Sequence, residues 1–431
     1  MPVAFGDRAG FRSRFMPMRA GAKLRADANV FADNKYFNKT ILEEHMKFHF
    51  NSLLLATAAA LSFAAVAADN IKIGVSGPFT GGSSPMGVSM RDGVKLAVSE
   101  INAKGGVLGR KFELIERDDE AKNERGVQIA QELINKEKVS ATVGFINTGV
   151  SLASQRFYQE AKIPVMNNVA TGSLVTRQFL PPEFPDNYIF RTSANDIVQS
   201  AMIVDEVLKR KYTKVAILAD STNYGQLGRE DLERTLAAKG IKPVTVEKYN
   251  IKDVDMTPQL LKSKQAGADV VITYGIGPEL AQIANGMEKL GWKVPMLGSW
   301  TLSMGNFIDN AGKNGDGARM PQTFIQDANT PKRKAFIDAY VKAYKPANNR
   351  ISSPVSAAQG YDSIYILAAA IKQAGTTDGP KLREALENLK EKVDGVVASY
   401  DKPFSHDDHE AIKMGMPVMG EVENGRVVRA K

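Results

Sequence analysis

Residues 71–106 have the sequence IKIGVSGPFTGGSSPMGVSMRDGVKLAVSEINAKGG, and this stretch decides the fold. It opens with Ile71-Lys72-Ile73-Gly74-Val75, an apolar run that is typical of a buried strand. Apolar residues then recur at helical spacing from Met86 to Lys104, and the pair Gly105-Gly106 ends the helix. A strand, a glycine-rich turn and a helix in this order predict the first half of a βαβ unit.

The same alternation of apolar runs and helical periods continues along the chain, with a break at a proline-rich loop at 181–185. Strands that alternate with helices predict right-handed βαβ units and parallel sheets. Because the alternation restarts after the loop, we predict an α/β protein with two doubly wound lobes. Three helical segments between 331 and 389 have no matching strands, and we expect them to cover the first lobe. Strand-like pieces after Val393 are expected to complete the second lobe.

A targeting segment precedes the predicted first strand. The stretch from Met46 has the sequence MKFHFNSLLLATAAALSFAAVAADN, with a positive residue (Lys47), an apolar run and a small-residue end near Ala68. These parts in this order are typical of a secretory signal peptide, and the apolar run is short for a membrane span. Residues 46–68 are therefore predicted to direct export.

Residues 1–45, which precede that segment, are polar, aperiodic and rich in turn-forming residues. Since a signal peptide begins at the initiator, one interpretation is that translation starts at Met46 and that the upstream residues are an over-extended reading frame. The alternative is a genuine disordered leader. In either case we expect no fold from residues 1–45.

Composition excludes several classes of function. Apolar residues make up 43% and charged residues 24% of the 431 residues, as in soluble globular proteins long enough for two domains. Of the formal charge of +8, residues 1–68 contribute nine Lys and Arg against five Asp and Glu, and the excess elsewhere forms no basic block. Nucleic-acid binding is therefore not expected. The chain has 0 Cys, which excludes thiol catalysis and thiolate metal sites.

The candidate binding sites are the turns that lead from strands into helices, because ligands of open parallel sheets bind at the carboxyl ends of the strands. In the first lobe these turns are rich in glycine, hydroxyl and amide groups, which suit a carboxylate. They lie at 77–87, 144–149 and 167–173 and include Ser83, Ser84, Asn147, Thr148, Val169, Ala170 and Thr171. The corresponding turns of the second lobe lie at 220–225, 274–278 and 298–301 and include Tyr224, Gly275, Ile276 and Trp300. Tyr224 and Trp300 add aromatic rings suited to the wall of a ligand pocket.

Signatures of an enzyme are weak. His406 and His409 are the only histidines beyond residue 68, and their polar context favours a solvated loop over a metal site. The chain has no G-x-S-x-G motif for a nucleophilic serine. The acidic run at 118–120 favours a solvated turn or local ion pairs. We therefore expect a binding protein without catalytic residues, cofactor or metal.

With these motifs in this order, the chain resembles the leucine/isoleucine/valine-binding proteins, the type I periplasmic solute-binding proteins of branched-chain amino acid ABC importers. The resemblance covers the chain from Asp69 to the C-terminus. It rests on the segments 71–81, 101–109, 170–171, 223–225 and 357–362. It implies two Rossmann-like lobes joined by three hinge crossings. The first lobe would comprise residues 69–192 and 326–393, and the second lobe residues 193–325 and 394–431.

The resemblance also implies roles for the candidate residues. Thr148 and the turn Val169–Thr171 would hold the α-carboxylate and α-amino groups of a ligand, and Tyr224 would close over it from the second lobe. The cleft loops would further include Ser83, Ser84, Gly275 and Ile276. The implied partners are a small carboxylate ligand and the permease subunits of an importer, with its ATPase subunits contacted indirectly. We expect the protein to act as a periplasmic monomer.

One position departs from the family pattern. After Gly298, where an amino-acid binder places a carboxylate near the ligand ammonium, this chain has Ser299 and Trp300. An aromatic carboxylic acid of the benzoate or cinnamate type is therefore the alternative to an amino acid as ligand. A second alternative keeps the fold and makes the protein the ligand-sensing component of a receptor.

Overall fold

A computed structural model describes residues 69–180 and 182–431. The predicted leader at 1–45 and the predicted signal peptide at 46–68 lie outside the described residues. The described ranges form eleven α-helices and fourteen strands. The strands are arranged as two large sheets and a two-stranded hairpin. None of these helices combines the length and apolar content that crossing a bilayer requires.

The first sheet is wholly parallel. Its strands are β1 (Ile71–Gly77), β2 (Phe112–Asp118), β3 (Ala141–Gly144), β4 (Val165–Asn167) and β5 (Ile189–Arg191), in the spatial order β2-β1-β3-β4-β5. They alternate with α1 (Ser84–Ala103), α2 (Asn123–Glu132) and α3 (Thr148–Glu160). Ile71, Ile73 and Val75 have no exposed surface, since helices cover both faces of a parallel sheet. This confirms the predicted doubly wound α/β architecture of the first part.

The second sheet repeats the pattern and then adds antiparallel strands. Its helices and parallel strands are α4 (Asp196–Arg210), β6 (Val215–Asp220), α5 (Asn223–Ala238), β7 (Thr245–Tyr249), α6 (Thr257–Gln265), β8 (Val270–Tyr274), α7 (Gly277–Lys289), β9 (Met296–Gly298), α8 (Gly305–Ala311) and β10 (Arg319–Gln322). The chain continues through α9 (Pro331–Tyr344), α10 (Pro354–Ala374), α11 (Gly379–Glu387), the hairpin β11 (Val393–Asp394) and β12 (Ser399–Tyr400), and then β13 (Val418–Glu423) and β14 (Arg426–Arg429). The spatial order is β14-β13-β10-β9-β8-β6-β7, so the last two strands complete this sheet as expected.

The later helices return to the first sheet, where α10 packs closely against α1. An added Cβ at Gly93 of α1 would lie 2.0 Å from the carbonyl oxygen of Ala357 in α10, so this crossing requires glycine. Gly360 of α10 is equally restricted, since its Cβ would lie 2.6 Å from the carbonyl oxygen of Met90. These contacts explain why both helices carry a glycine in mid-helix, where it otherwise costs stability.

Residues 404–412 pack against β5 of the first sheet, although the predicted division placed them in the second lobe. The Arg191 N–H donates to the His409 carbonyl at 2.9 Å, and the Ala411 N–H donates to the Arg191 carbonyl at 2.9 Å. The predicted solvated loop around His409 is wrong, because the ring is buried and stacks on Phe190 with a centroid distance of 4.0 Å. We therefore propose that the second lobe resumes at residue 413.

Candidate functional site

Turns from the carboxyl ends of strands in both sheets meet around one cavity, which we call the cleft cavity. It is lined by Met86, Ile146, Asn147, Val169, Thr171, Tyr224, Ile276, Trp300 and Thr301. Six of these residues are among the eleven predicted from the sequence. The structure adds Met86, Ile146 and Thr301, which lie within the candidate turns at 77–87, 144–149 and 298–301.

The two halves of the molecule touch each other at the mouth of the cleft. The side-chain amide of Asn306 donates to the Gly82 carbonyl at 3.0 Å. An added Cβ at Gly149 in α3 would lie 2.7 Å from Oδ1 of Asn223 in α5. The chain therefore adopts a closed conformation, in which both sheets contribute walls to the cavity.

The wall from the first sheet offers unsatisfied polar atoms. Thr171 is 2% exposed, and its Oγ1 has no hydrogen-bond partner among the described residues. The Asn147 side chain donates to Ser83 Oγ at 3.2 Å, while its Oδ1 finds no partner within the same ranges. Because buried polar groups are normally paired, such atoms beside a cavity indicate a polar ligand.

The wall from the second sheet is aromatic and held by hydrogen bonds. The Tyr224 hydroxyl lies 2.5 Å from Ser299 Oγ, which lies 2.8 Å from Thr301 Oγ1. The backbone N–H of Trp300 donates to Gln199 Oε1 at 3.0 Å. Trp300 is 6% exposed, and the described chain offers no acceptor to its indole Nε1. The indole therefore has a free N–H and a ring at the cavity.

Asp196 lies directly beside Thr171 and was not predicted as a site residue. Its backbone N–H donates to the Thr171 carbonyl at 2.9 Å, and its Oδ1 accepts from Gln199 Nε2 at 2.9 Å. Oδ2 is buried and has no hydrogen bond of ordinary geometry to a described residue. Burial raises the pKa of Asp196 to about 7, against the opposing effects of the nearby Thr171 hydroxyl and Arg191.

The sequence signal at Asp196 is that of a helix start. Asn195 caps α4 by accepting from the Ile197 N–H at 2.9 Å, and an acidic residue in the first turn is common in helices. The side chain of Asp196 is fully buried instead of solvated. A carboxyl group from a different turn is thus linked to the Trp300 backbone through the side chain of Gln199.

Five predicted residues do not line the cleft cavity. Ser83 contacts it only through Asn147. Thr148 Oγ1 accepts from the Gly172 N–H at 3.3 Å, and the Ala170 carbonyl accepts from Ser193 Oγ at 3.1 Å, so both support the turn around Thr171. Ser84 begins α1, and Gly275 packs against Tyr249, whose hydroxyl would be 1.7 Å from an added Cβ. Their contact with a ligand stays a prediction.

The arrangement suits a small amphipathic ligand. Thr171 and Trp300 provide unpaired donors and Asn147 an acceptor, while the apolar part of the wall consists of Met86, Ile146, Val169 and Ile276. A cavity with few polar groups on apolar walls is the usual form of a small-molecule site.

Comparison with known proteins supports a binding role for this arrangement. The family model for periplasmic binding proteins matches residues 70–425. The leucine-, isoleucine-, valine-, threonine-, and alanine-binding protein of Pseudomonas aeruginosa is 29% identical over 340 residues, which span 78% of this chain and 87% of that protein.

Solved structures agree with this match. A periplasmic binding protein type 1 from Bordetella pertussis superposes with a TM-score of 0.75 at 28% identity and covers 84% of this chain and 100% of its own. A solute-binding protein of an ABC transporter from R. palustris, in complex with benzoate, has a TM-score of 0.71 at 21% identity over 84% of this chain and 95% of its own. The chain belongs to the periplasmic binding protein family, with the leucine/isoleucine/valine-binding type among its relatives.

Proposed function

We propose that this protein captures a small α-amino acid in the cleft cavity and delivers it to the permease of an ABC importer. The observation that carries the proposal is the cavity between the two walls, where Thr171 and Trp300 have unpaired donors and where Thr171 lies beside the buried Asp196. Donors suit the ligand carboxylate, and a buried carboxylate suits its ammonium.

Each part of the ligand then has a place. The carboxylate accepts from the Thr171 hydroxyl and the Trp300 Nε1–H, and the ammonium donates to Asp196 and Asn147 Oδ1. The side chain of the ligand packs on Met86, Ile146, Val169 and Ile276, which favours aliphatic amino acids. This assignment agrees with the amino acids in the name of the P. aeruginosa relative.

A benzoate-type acid is the second candidate, and the Trp300 ring favours it. An aromatic acid would stack on the indole and place its carboxylate near Thr171. The fold-level neighbour with bound benzoate is consistent with this candidate. The buried carboxyl group of Asp196 argues against it, because an acid without an ammonium would leave Asp196 unpaired beside a second carboxylate.

A thermal-shift screen tests the proposed function. The panel contains the twenty amino acids, benzoate, 4-hydroxybenzoate and cinnamate, each at a concentration far above the expected dissociation constant. A ligand at 100 times its Kd stabilises the folded state by about 2.7 kcal/mol, which raises the melting temperature measurably. We expect leucine, isoleucine or valine to give the largest shift. The absence of a shift from every compound would refute capture of a small carboxylate.

The Thr171 hydroxyl is expected to contribute directly to affinity. Thr171→Val keeps the volume of the side chain and removes one charge-assisted hydrogen bond, worth roughly 1.5–3 kcal/mol. Calorimetry should therefore show affinity about ten-fold to one-hundred-fold lower. Thr171→Ser keeps the hydroxyl and is the control. Unchanged affinity in Thr171→Val would mean that the turn contributes only its backbone.

The proposed function also includes export. We propose that residues 46–68 are removed as a signal peptide and that the mature periplasmic protein begins near Ala68 or Asp69. N-terminal sequencing of the native protein checks this expectation. A native N-terminus before Met46 would refute the proposed translation start. Co-purification with permease subunits would support transport over a purely sensory role.

A further inference from the structure

A second cavity lies where the chain crosses between the two sheets, and we call it the hinge cavity. It opens to solvent and has a volume of about 290 Å³. Its residues come from the crossing segment at 322–327, from the loop at 350–354 between α9 and α10, from α8 and from β14. This volume lies at the lower end of the range of sites that hold small organic ligands.

The lining combines apolar residues with arginines. Ile308, Phe324, Ile351 and Val427 form an apolar part, and Phe324 and Ile351 are each 1% exposed. Arg350, Arg426 and Arg429 also line the cavity. An apolar surface next to cations favours a ligand with an apolar body and a negatively charged group.

Two of the three arginines are available to such a ligand. Arg350 is engaged, because its Nη2 donates to both carboxylate oxygens of Asp309 at 2.5 Å. The side chains of Arg426 and Arg429 are exposed and form no hydrogen bond or ion pair with any residue that the structure describes. Glu423 lies opposite Arg426 in the β13–β14 register, yet the two side chains do not form an ion pair.

The hinge cavity also touches the residues that hold Trp300. Ser303 and Gln322 line it. Ser303 Oγ donates to the Trp300 carbonyl at 2.7 Å, and Gln322 Nε2 donates to the same carbonyl at 3.3 Å. A ligand that moves either side chain would therefore alter the support of Trp300, which faces the cleft cavity.

We propose that the hinge cavity is a second ligand site, which binds a monocarboxylate with an apolar chain of several carbons. The carboxylate pairs with Arg429, which lies on the same face of β14 as Val427, and the chain packs on Ile308, Phe324, Ile351 and Val427. Occupancy changes the environment of Trp300 through Ser303 and Gln322. This site is separate from the proposed amino-acid site and does not depend on its ligand.

Calorimetric titration of the purified protein with octanoate tests the site. Octanoate is expected to bind about ten-fold more tightly than 1-octanol, which has the same chain and no charge. Arg426→Gln combined with Arg429→Gln should lower octanoate affinity about ten-fold or more. Lys248→Gln is the matched control, since Lys248 is exposed on β7 at the opposite edge of the same sheet. Thr171→Val should leave octanoate affinity unchanged.

Three results would overturn the proposal: equal affinity for octanoate and octanol, unchanged affinity in the double variant, or loss of octanoate binding in Thr171→Val. The last result would place octanoate in the cleft cavity. Tryptophan fluorescence measures the coupling between the hinge cavity and Trp300. The chain has 2 Trp, so Trp292→Phe leaves Trp300 as the single fluorescent tryptophan. Octanoate should shift its emission in that background but not when Arg426→Gln and Arg429→Gln are added. An unshifted emission at saturation would overturn the coupling.

Discussion

Asp196→Asn is expected to lower affinity for leucine, isoleucine or valine by a factor of about one hundred or more. The reason is that removal of one partner from a buried ion pair costs about 3–5 kcal/mol, because the other charge stays buried without compensation. The carboxyl group of Asp196 is fully buried beside Thr171, so solvent cannot replace it. Calorimetric titration of the variant and the wild type measures the ratio.

Benzoate serves as the matched ligand for the same variant. It has no ammonium, so Asp196→Asn should leave its affinity unchanged or raise it by removing a nearby negative charge. Equal losses for leucine and benzoate would mean that the substitution disturbs the turn around Thr171 and does not remove a counter-ion. Unchanged leucine affinity would remove Asp196 from the site.

The pH dependence of binding gives an independent test of the same residue. Burial raises the pKa of Asp196 to about 7, so the group is protonated below that pH in the free protein. An ammonium ligand needs the ionised form, and its affinity should therefore rise as the pH increases through about 7, with release of a proton on binding. Benzoate affinity should fall over the same interval. Calorimetric titration in two buffers of different ionisation enthalpy detects the proton that is released on binding.

The free energy of unfolding should depend on pH with the opposite sign to the affinity for amino acids. Because the pKa is raised on folding, the native state binds more protons than the unfolded state between about pH 4 and pH 7. The free energy of unfolding of the free protein should therefore decrease as the pH rises through this window. Asp196→Asn should remove this contribution, so a pH slope that persists unchanged in the variant would contradict the burial of the charge.

Glu410→Ala is expected to lower the free energy of unfolding by about 3–5 kcal/mol. Arg191 has no exposed surface, and its Nε donates to Glu410 Oε2 at 2.7 Å. Loss of Glu410 leaves a guanidinium buried without an anion. The Arg191 Nη1 also donates to the Gly172 carbonyl at 2.8 Å, so the turn that presents Thr171 should lose order at the same time. Urea denaturation monitored by circular dichroism measures the first effect.

The control for Glu410→Ala is the double variant Arg191→Met with Glu410→Leu. Replacement of a buried ion pair by apolar residues of similar size is often neutral, because both desolvation costs disappear together. We therefore expect the double variant to unfold at a higher urea concentration than Glu410→Ala. A decrease of less than about 1 kcal/mol in the free energy of unfolding of Glu410→Ala would mean that the pair contributes no more than an ordinary surface ion pair.

The alternation of strands and helices was predictable because it depends on local periodicity. The runs that became β6 and β8 are fully buried, and in β1 only Lys72 is partly exposed; buried parallel strands have continuous apolar sequences. The turns after β4 and β9 were candidates by the rule that ligands bind at strand carboxyl ends, and they contain Thr171 and Trp300, which line the cleft cavity.

The roles of Asp196 and of residues 404–412 depend on tertiary contacts that leave no local pattern. Asp196 has the sequence context of a solvated helix start, and only the packing of α4 shows that its carboxyl group is buried. Glu410 pairs with Arg191 across 219 positions of sequence, and His409 with the Ile189 carbonyl across 220. The polar sequence of residues 404–412 therefore gave no sign that this segment packs against β5.

The most direct test of the central claim is a crystal structure of the protein grown with the amino acid that gives the largest thermal shift. We expect electron density for that ligand in the cleft cavity, between Thr171 and Trp300. The ligand carboxylate should lie within hydrogen-bond distance of Thr171 Oγ1 and Trp300 Nε1, and its ammonium near Asp196. Ligand density outside the cleft cavity, or an ammonium that points away from Asp196, would contradict the proposed amino-acid site.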